Sequence, residues 1–314
     1  MSHLLIENII LGVLGLLGGI ALLAYSSDKA VKHSVNIASA LKLSPLMIGL
    51  IVVSLGTDLP EIVNSITSSA MGHGDINVGD SFGSILAQIT LVLGLIALLG
   101  GAFKVKRNEI AVIGSCELLA LIAAVSIVEK GYISRMNAIF LVASFPLLMI
   151  IIKNVMKREY ALEQSDPKLF SHFLLATIGY VGVSIGAYIV VHSVIRLSAE
   201  TLIPEYLVSF FVVGIGTSLP ELAIDLTAVR KKQYEIAIGD AIGSCIVDAG
   251  FSIGIGPLLF PSTVSARLAE TTGLFALLAS IIVLSTLVIR QKLDRKTGAL
   301  FIIIYGLSYF MLFI

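Results

Sequence analysis

The sequence predicts an all-α polytopic membrane protein, with ten transmembrane helices as two inverted five-helix repeats and breaks in helices 2 and 7. Three observations lead there. Apolar runs of about twenty residues, long enough to cross ~30 Å of hydrocarbon as helix, follow one another along almost all of the 314 residues. Charged residues make up only 13% and the mean hydropathy is +0.99, against roughly 25% charged in a soluble domain. A patterned segment at 52–88 also returns without a gap at 212–248.

The expected spans are 5–27, 43–71, 75–99, 109–128, 137–154, 170–194, 203–229, 235–260, 269–290 and 298–314. The first has Glu7 and no basic region ahead of it, so it reads as a spanning helix rather than a signal peptide. The second is interrupted at Gly56-Thr57-Asp58-Leu59-Pro60-Glu61, and the seventh at the corresponding place. The third and eighth open on glycines and acids, and the remaining spans are more uniformly apolar. Residues 1–158 form the first five-helix half and 159–314 the second.

Charge sets the expected orientation. Alternate loops hold Lys29, Lys32 and Lys42; Lys104, Lys106 and Arg107; Lys153, Lys157, Arg158 and Lys168; Arg230, Lys231 and Lys232; and Arg290, Lys292, Arg295 and Lys296. The opposite side holds only Lys130, Arg135, Arg196 and Arg267. Basic loops face the cytoplasm, which puts both termini on the extracytoplasmic side. A missed span would scramble this alternation.

Composition also excludes function classes. The net charge is +0, so nucleic-acid binding has no support. Cys116 and Cys245 lie among apolar or small residues and read as packing groups, without a disulfide framework. His33 and His73 read as solvated loop residues. No phosphate-loop motif follows a predicted strand.

The repeat carries the chemistry. VVSLGTDLPEIVNSITSSAMGHGDINVGDSFGSILAQ aligns with VVGIGTSLPELAIDLTAVRKKQYEIAIGDAIGSCIVD. Five spans separate the copies, so they enter the membrane from opposite sides, as in secondary transporters. Asp58, Glu61, Asp80, Glu221, Asp225, Asp240 and Asp248 fall at or near membrane depth, where a carboxylate must be paired, hydrated, protonated or bound to a cation. No basic residue lies in those stretches. Asp80 and Asp240 each follow a glycine near the start of a span, where helix capping is the expected role and an additional or proton-coupled site the other reading. Glu61 and Glu221 lie just past Pro60 and Pro220, which release backbone carbonyls. With Thr57, Thr217 and Ser218 they make an all-oxygen set suited to a hard cation such as calcium. Gly79, Gly83, Gly239 and Gly243 make small-residue faces. Those faces are expected to bring helix 3 against helix 2, setting Ser84 and Gln88 near Glu61, and likewise Ser244 and Asp248 near Glu221. Zinc, copper and iron have weak support, since the repeat holds no thiolate or histidine cluster.

GTSLPEL followed by GDAIGSCIVD resembles the alpha-repeat of the sodium/calcium exchanger superfamily of cation antiporters, whose form is close to GTSxPE…GNxxGSNIFN or GNxxGSNIFD. The resemblance covers both motifs and the ten-helix layout. It implies that Glu61 and Glu221 are central cation ligands, joined by Gln88 and Asp248 at the ends of the second motifs. It also implies that Thr57, Asp58, Thr217, Ser218, Ser84 and Ser244 occupy the hydroxyl positions of flanking sodium sites.

This sequence departs from the family pattern at Asp58, Gln88, Asp80, Asp240 and Asp225. The excess of acid over one calcium ion points to bound protons or further cations, with Asp58 and Asp225 as the proton-coupled candidates. The expected activity is exchange of calcium for sodium in a cell membrane. Calcium/proton antiport and potassium-dependent sodium/calcium exchange are the alternatives, and a passive cation channel is a remoter one. No covalent chemistry, prosthetic group or protein partner is expected. The expected partners are the lipid bilayer and inorganic cations, with the monomer as the functional unit.

Overall fold

The structure is a computed structural model that describes residues 2–41, 44–155, 169–197 and 205–312. Lys42, Lys157, Arg158 and Lys168 of the orientation argument lie outside them. The chain is helical almost throughout. We label the helices α1 (Ser2–Leu41), α2a (Pro45–Thr57), α2b (Leu59–Ala70), α3 (Gly74–Leu99), α4 (Arg107–Val128) and α5 (Arg135–Val155). They continue with α6 (Leu169–Leu197), α7a (205–217), α7b (Leu219–Arg230), α8 (Tyr234–Leu259), α9 (Ala266–Arg290) and α10 (Arg295–Leu312). Among the described residues, seven helices are long and apolar enough to cross a membrane, or eight if the bent pair α2a–α2b is one span. The coarser expectation of an all-α membrane bundle therefore holds.

Most boundaries fall within a few residues of the expected ones. The exception is α1, which runs on through residues read as a loop. Between Gly19 and Pro45 there is neither glycine nor proline to stop it, and Ala30, Val31 and Ile37 are buried on its second half.

Sorting the helices by burial gives the layers. In α3 and α8, 78% of the most apolar stretch is buried, against 33% in α5 and 28% in α6. The glycine-rich pair forms the centre, and α4, α5, α6, α9 and α10 turn Leu119, Phe140, Ile178, Ile281 and Phe310 outward. Such apolar exposure suits lipid. Helix α6 lies along α1. Gly182 of α6 faces Ser26, Gly179 faces the Ala30 backbone, and the Tyr180 and Ser34 hydroxyls bond at 2.7 Å. At one end of this pair His33 is buried, with its Nδ1 2.8 Å from Nδ1 of His172. That corrects the solvated reading of His33, which followed from taking 28–41 as a loop. His73 is exposed as expected.

Contacts between loops establish the inversion. Phe103-Lys104 pairs antiparallel with Lys292-Leu293, and Lys106 on the same face holds Glu109 and Glu235. There burial opposes the charge, but the two carboxylates together raise the Lys106 pKa. On the opposite face Tyr132-Ile133 pairs with Ser262-Thr263, and the Ser265 hydroxyl donates to Asp75 at 2.6 Å. The turn after α2b thus lies on one face and the turn after α7b on the other, so the two broken helices run in opposite directions. Each two-residue ribbon joins one half of the chain to the other.

Asp294, in the α9–α10 turn, caps α10 reciprocally. It accepts from the Thr297 and Lys296 backbone N–H groups at 3.0 and 3.1 Å, and its own N–H donates to the Thr297 hydroxyl at 2.7 Å. Lys292 and Arg290 reach its other oxygen at 2.9 and 3.0 Å. The Thr297 N–H, then Lys292 and Arg290, hold this carboxyl below the usual carboxylate range.

Candidate cation site

The two breaks meet at the centre of the molecule. Asp58 and Ser218 sit between helical segments with ψ near zero (6° and 1°), and α2a and α2b diverge by 45°. Proline explains the local weakness. Pro60 has no N–H for the Gly56 carbonyl, and Pro220 has none for Gly216. Among the described residues, π-helical turns precede the breaks at Gly49–Val53 and Ser209–Val213 and interrupt α3 and α8 at Ala87–Val92 and Val247–Ser252. Such turns frequently occur at functional sites. Here they carry Gln88 and Asp248.

The glycine faces do bring helices together, but with different partners from those expected. A Cβ on Gly83 would lie 2.1 Å from the Phe210 carbonyl oxygen, and one on Gly79 2.7 Å from that of Tyr206. Helix α3 therefore packs closely on α7a, and by the same symmetry Gly239 and Gly243 of α8 pack on Leu46 and Leu50 of α2a. The glycine contacts are between halves, while α2b also packs on α3 within the first half and Ser84 reaches Glu61 as expected.

That crossing assembles the site. Asp58, Glu61 and Asp248 are buried and offer oxygens within 4.8 Å of one another, a group able to hold a metal ion. Glu221 adjoins Asp58. The Ser84 hydroxyl lies 3.3 Å from Glu61 Oε1, 3.0 Å from the Thr217 hydroxyl and 3.2 Å from the Gly214 carbonyl. Gln88 is buried, with its Nε2 unpartnered. Its Oε1 accepts from the Cys245 thiol at 3.4 Å, so Cys245 is a hydrogen-bond donor as well as a packing residue. Ser218 bonds back to the Gly214 carbonyl at 2.8 Å.

Asp80 and Asp240 are not caps. Both are buried within helices, and the residues in the first turns are Asp75 and Glu235. Thr217 donates to Asp80 at 2.9 Å, and Thr57 lies 3.4 Å from Asp240, each bond crossing between halves. Asn64 also holds Asp80, whereas Asp240 has Ser244 at 3.5 Å and Asp225 beside it. All thirteen residues singled out from the sequence are buried in this region.

The electrostatics favour a cation. Both oxygens of Asp58, Glu221, Asp225 and Asp248, and one each of Glu61 and Asp240, lack a hydrogen-bond donor. Among the described residues no lysine, arginine or histidine forms an ion pair with any of them. Buried charges without partners are costly, and a hard cation supplies the missing charge through oxygen ligands. Glu117 of α4 is a further fully buried carboxyl that the sequence reading passed over. A single acid within the apolar run 110–128 was the available signal.

A family model described as sodium/calcium exchanger protein matches residues 11–153 and 171–314. The chain is 30% identical over 298 residues to the uncharacterized membrane protein MJ0091 of Methanocaldococcus jannaschii, a match covering 95% of this chain and 96% of the relative. It is 25% identical over 341 residues to the sodium/calcium exchanger MaX1 of Methanosarcina acetivorans, covering 95% and 97%. Among solved structures it resembles the sodium-calcium exchanger NCX_Mj soaked with 10 mM Na+ and 10 mM Sr2+. There the TM-score is 0.81 at 29% identity, covering 96% of this chain and 98% of that one.

Proposed function

This chain belongs to the sodium/calcium exchanger protein family, and from that premise we propose that it is a secondary antiporter exchanging calcium for sodium across the cell membrane by alternating access. The observation that carries this reading is the buried cluster of Asp58, Glu61 and Asp248, with Glu221 beside it and at least one donorless oxygen on each of the four. Glu61, Glu221, Asp248 and Gln88 are the central ligands. Thr57, Asp58, Thr217, Ser218, Ser84 and Ser244 supply flanking oxygens. Both ions use overlapping ligands, so each displaces the other. A filled cage crosses because its charge is compensated, whereas an empty one exposes bare carboxylates to a low dielectric, which couples the two fluxes. Helices α1 and α6 are the moving pair. Their close packing on one another supports this, as does the Tyr180 ring lying against Gly56 at the break.

The membrane layout is ten helices in two five-helix halves, 1–158 and 159–314, with both termini extracytoplasmic. The opposed directions of α2 and α7 and the basic residues on the Lys104–Lys292 face support it.

A second reading, calcium/proton antiport, draws on the carboxyl pairs Asp58–Glu221 and Asp225–Asp240, since two adjacent acids readily share a proton. Radiocalcium uptake into proteoliposomes loaded with sodium, potassium or choline at equal pH tests both. Uptake that needs internal sodium, and that Glu61→Gln, Glu221→Gln or Asp248→Asn abolishes, is the expected result. Uptake driven by a pH gradient alone, and lost in Asp58→Asn or Asp225→Asn, selects proton exchange. Conductance without a trans cation refutes antiport altogether.

A further inference from the structure

Glu117 lies at mid-length in α4, outside the cation cage, and the exchange reading gives it no role. It is fully buried. Its Oε1 accepts from the Ser280 hydroxyl of α9 at 2.7 Å, while Oε2 has no partner.

The helices packed on α4 are α9, α5 and α8. The ionisable residues of α5 and α9 are Arg135, Lys153, Arg267, Glu270 and Arg290, all near helix ends. From α8 the titratable group on this side is Cys245, whose thiol Glu117 influences electrostatically, and the π-helical turn that carries Asp248 also packs on α4. On α4 itself the buried neighbour is Cys116, with Arg107 and Glu109 a turn or more away at the helix start. Tyr132 stands at the ribbon beyond the opposite end. No cation faces Glu117 among these groups.

A carboxyl locked neutral would need an acceptor for its O–H, and one locked ionised would need donors to both oxygens. Ser280 serves either form equally, and nothing serves Oε2. Burial and the single Ser280 donor set the balance between the two forms, and the cage, one layer away through Cys245 and its bond to Gln88, adds its charge to that balance. We propose that Glu117 is a proton-binding site separate from the cation cage, and that proton binding there and cation binding in the cage oppose one another. This coupling rests on the cage reading; the proton site itself does not. Positive charge at either place disfavours it at the other, and the effect must be reciprocal. Acidification then weakens calcium binding through a residue that never touches the ion.

The test is infrared difference spectroscopy of the purified protein, following the protonated-carboxyl C=O band as pH is raised without calcium and again as calcium is added. Calorimetry at acid and alkaline pH runs in parallel. One band should vanish on alkalinisation and on calcium binding, and be missing from Glu117→Gln. That variant, fixed in the neutral form, should bind calcium about tenfold more weakly than the parent at alkaline pH, a typical coupling size, with a flatter pH dependence. If Glu117→Gln does not fold, Ser280→Ala serves instead. Removing the donor to the carboxyl must move the same band to higher frequency. A spectrum that Glu117→Gln and Ser280→Ala leave unchanged overturns the proton site. A Glu117 band indifferent to calcium, with unaltered affinity in Glu117→Gln, overturns the coupling. A parent that binds no calcium at any pH condemns the cage reading instead, and the pH-driven band still decides the proton site.

Discussion

At the scale of single residues the molecule separates two uses of acid. Asp294 is satisfied on every side and holds a turn together, whereas Asp58, Glu221, Asp225 and Asp248 have both oxygens without donors. Asp294→Ala should lower the melting temperature in detergent, by loss of a cap contribution of about 1 kcal/mol. The sign with pH is fixed by its depressed pKa. The stabilisation is present above the ordinary aspartate pKa of about 3.9 and is lost as pH falls through the lower folded value. Parent and variant melts should therefore converge only in strong acid, and convergence at neutral pH would refute the assignment. Much of the site was legible at this scale, because a carboxylate at membrane depth needs a reason to be there. Asp80 and Asp240 admitted a capping reading because a preceding glycine looks the same in a helix start and a helix interior. Glu117 was lost because one interior acid barely dents the hydropathy of a run such as 110–128.

At the scale of elements, periodicity and proline located the helices and both breaks. They did not reveal the π-helical turns, which depend on packing around residues such as Gln88 and Asp248. Nor did they identify the partners of the glycine faces. Gly83 announces that some backbone comes close, but only the folded chain shows it to be Phe210 in the other half. Gly83→Ala should cost about 1–3 kcal/mol, typical of overpacking, because the contact is backbone and cannot swing aside. Gly18, where an added Cβ meets nothing within 4 Å, is the matched control. Thermal unfolding of Gly83→Ala and Gly18→Ala decides it: a marked drop for the first and none for the second is expected, and equal melts would remove the argument.

At the scale of the whole molecule, the two faces differ in charge and in which loops they join. Cysteines introduced singly at Lys292 and at Tyr132, in a background lacking Cys116 and Cys245, should be labelled by an impermeant maleimide from opposite sides of the cell membrane. Tyr132→Cys should react in intact cells and Lys292→Cys only after permeabilisation. Labelling of both from one side would dismantle the layout. The inversion itself was readable from an odd number of spans between the copies, while the staples between halves were not, since each ribbon is only two residues long.

Those crossed contacts bear on how such a chain could arise. Each half lends its glycine helix to the other's break, so neither half alone encloses a cage. A single-repeat ancestor would have been useful only as a pair of identical chains inserted in opposite senses. Duplication and fusion would then have freed the two copies to diverge. Asp58 where the other copy has Ser218, and Gln88 where it has Asp248, are differences that a symmetric pair could never have held.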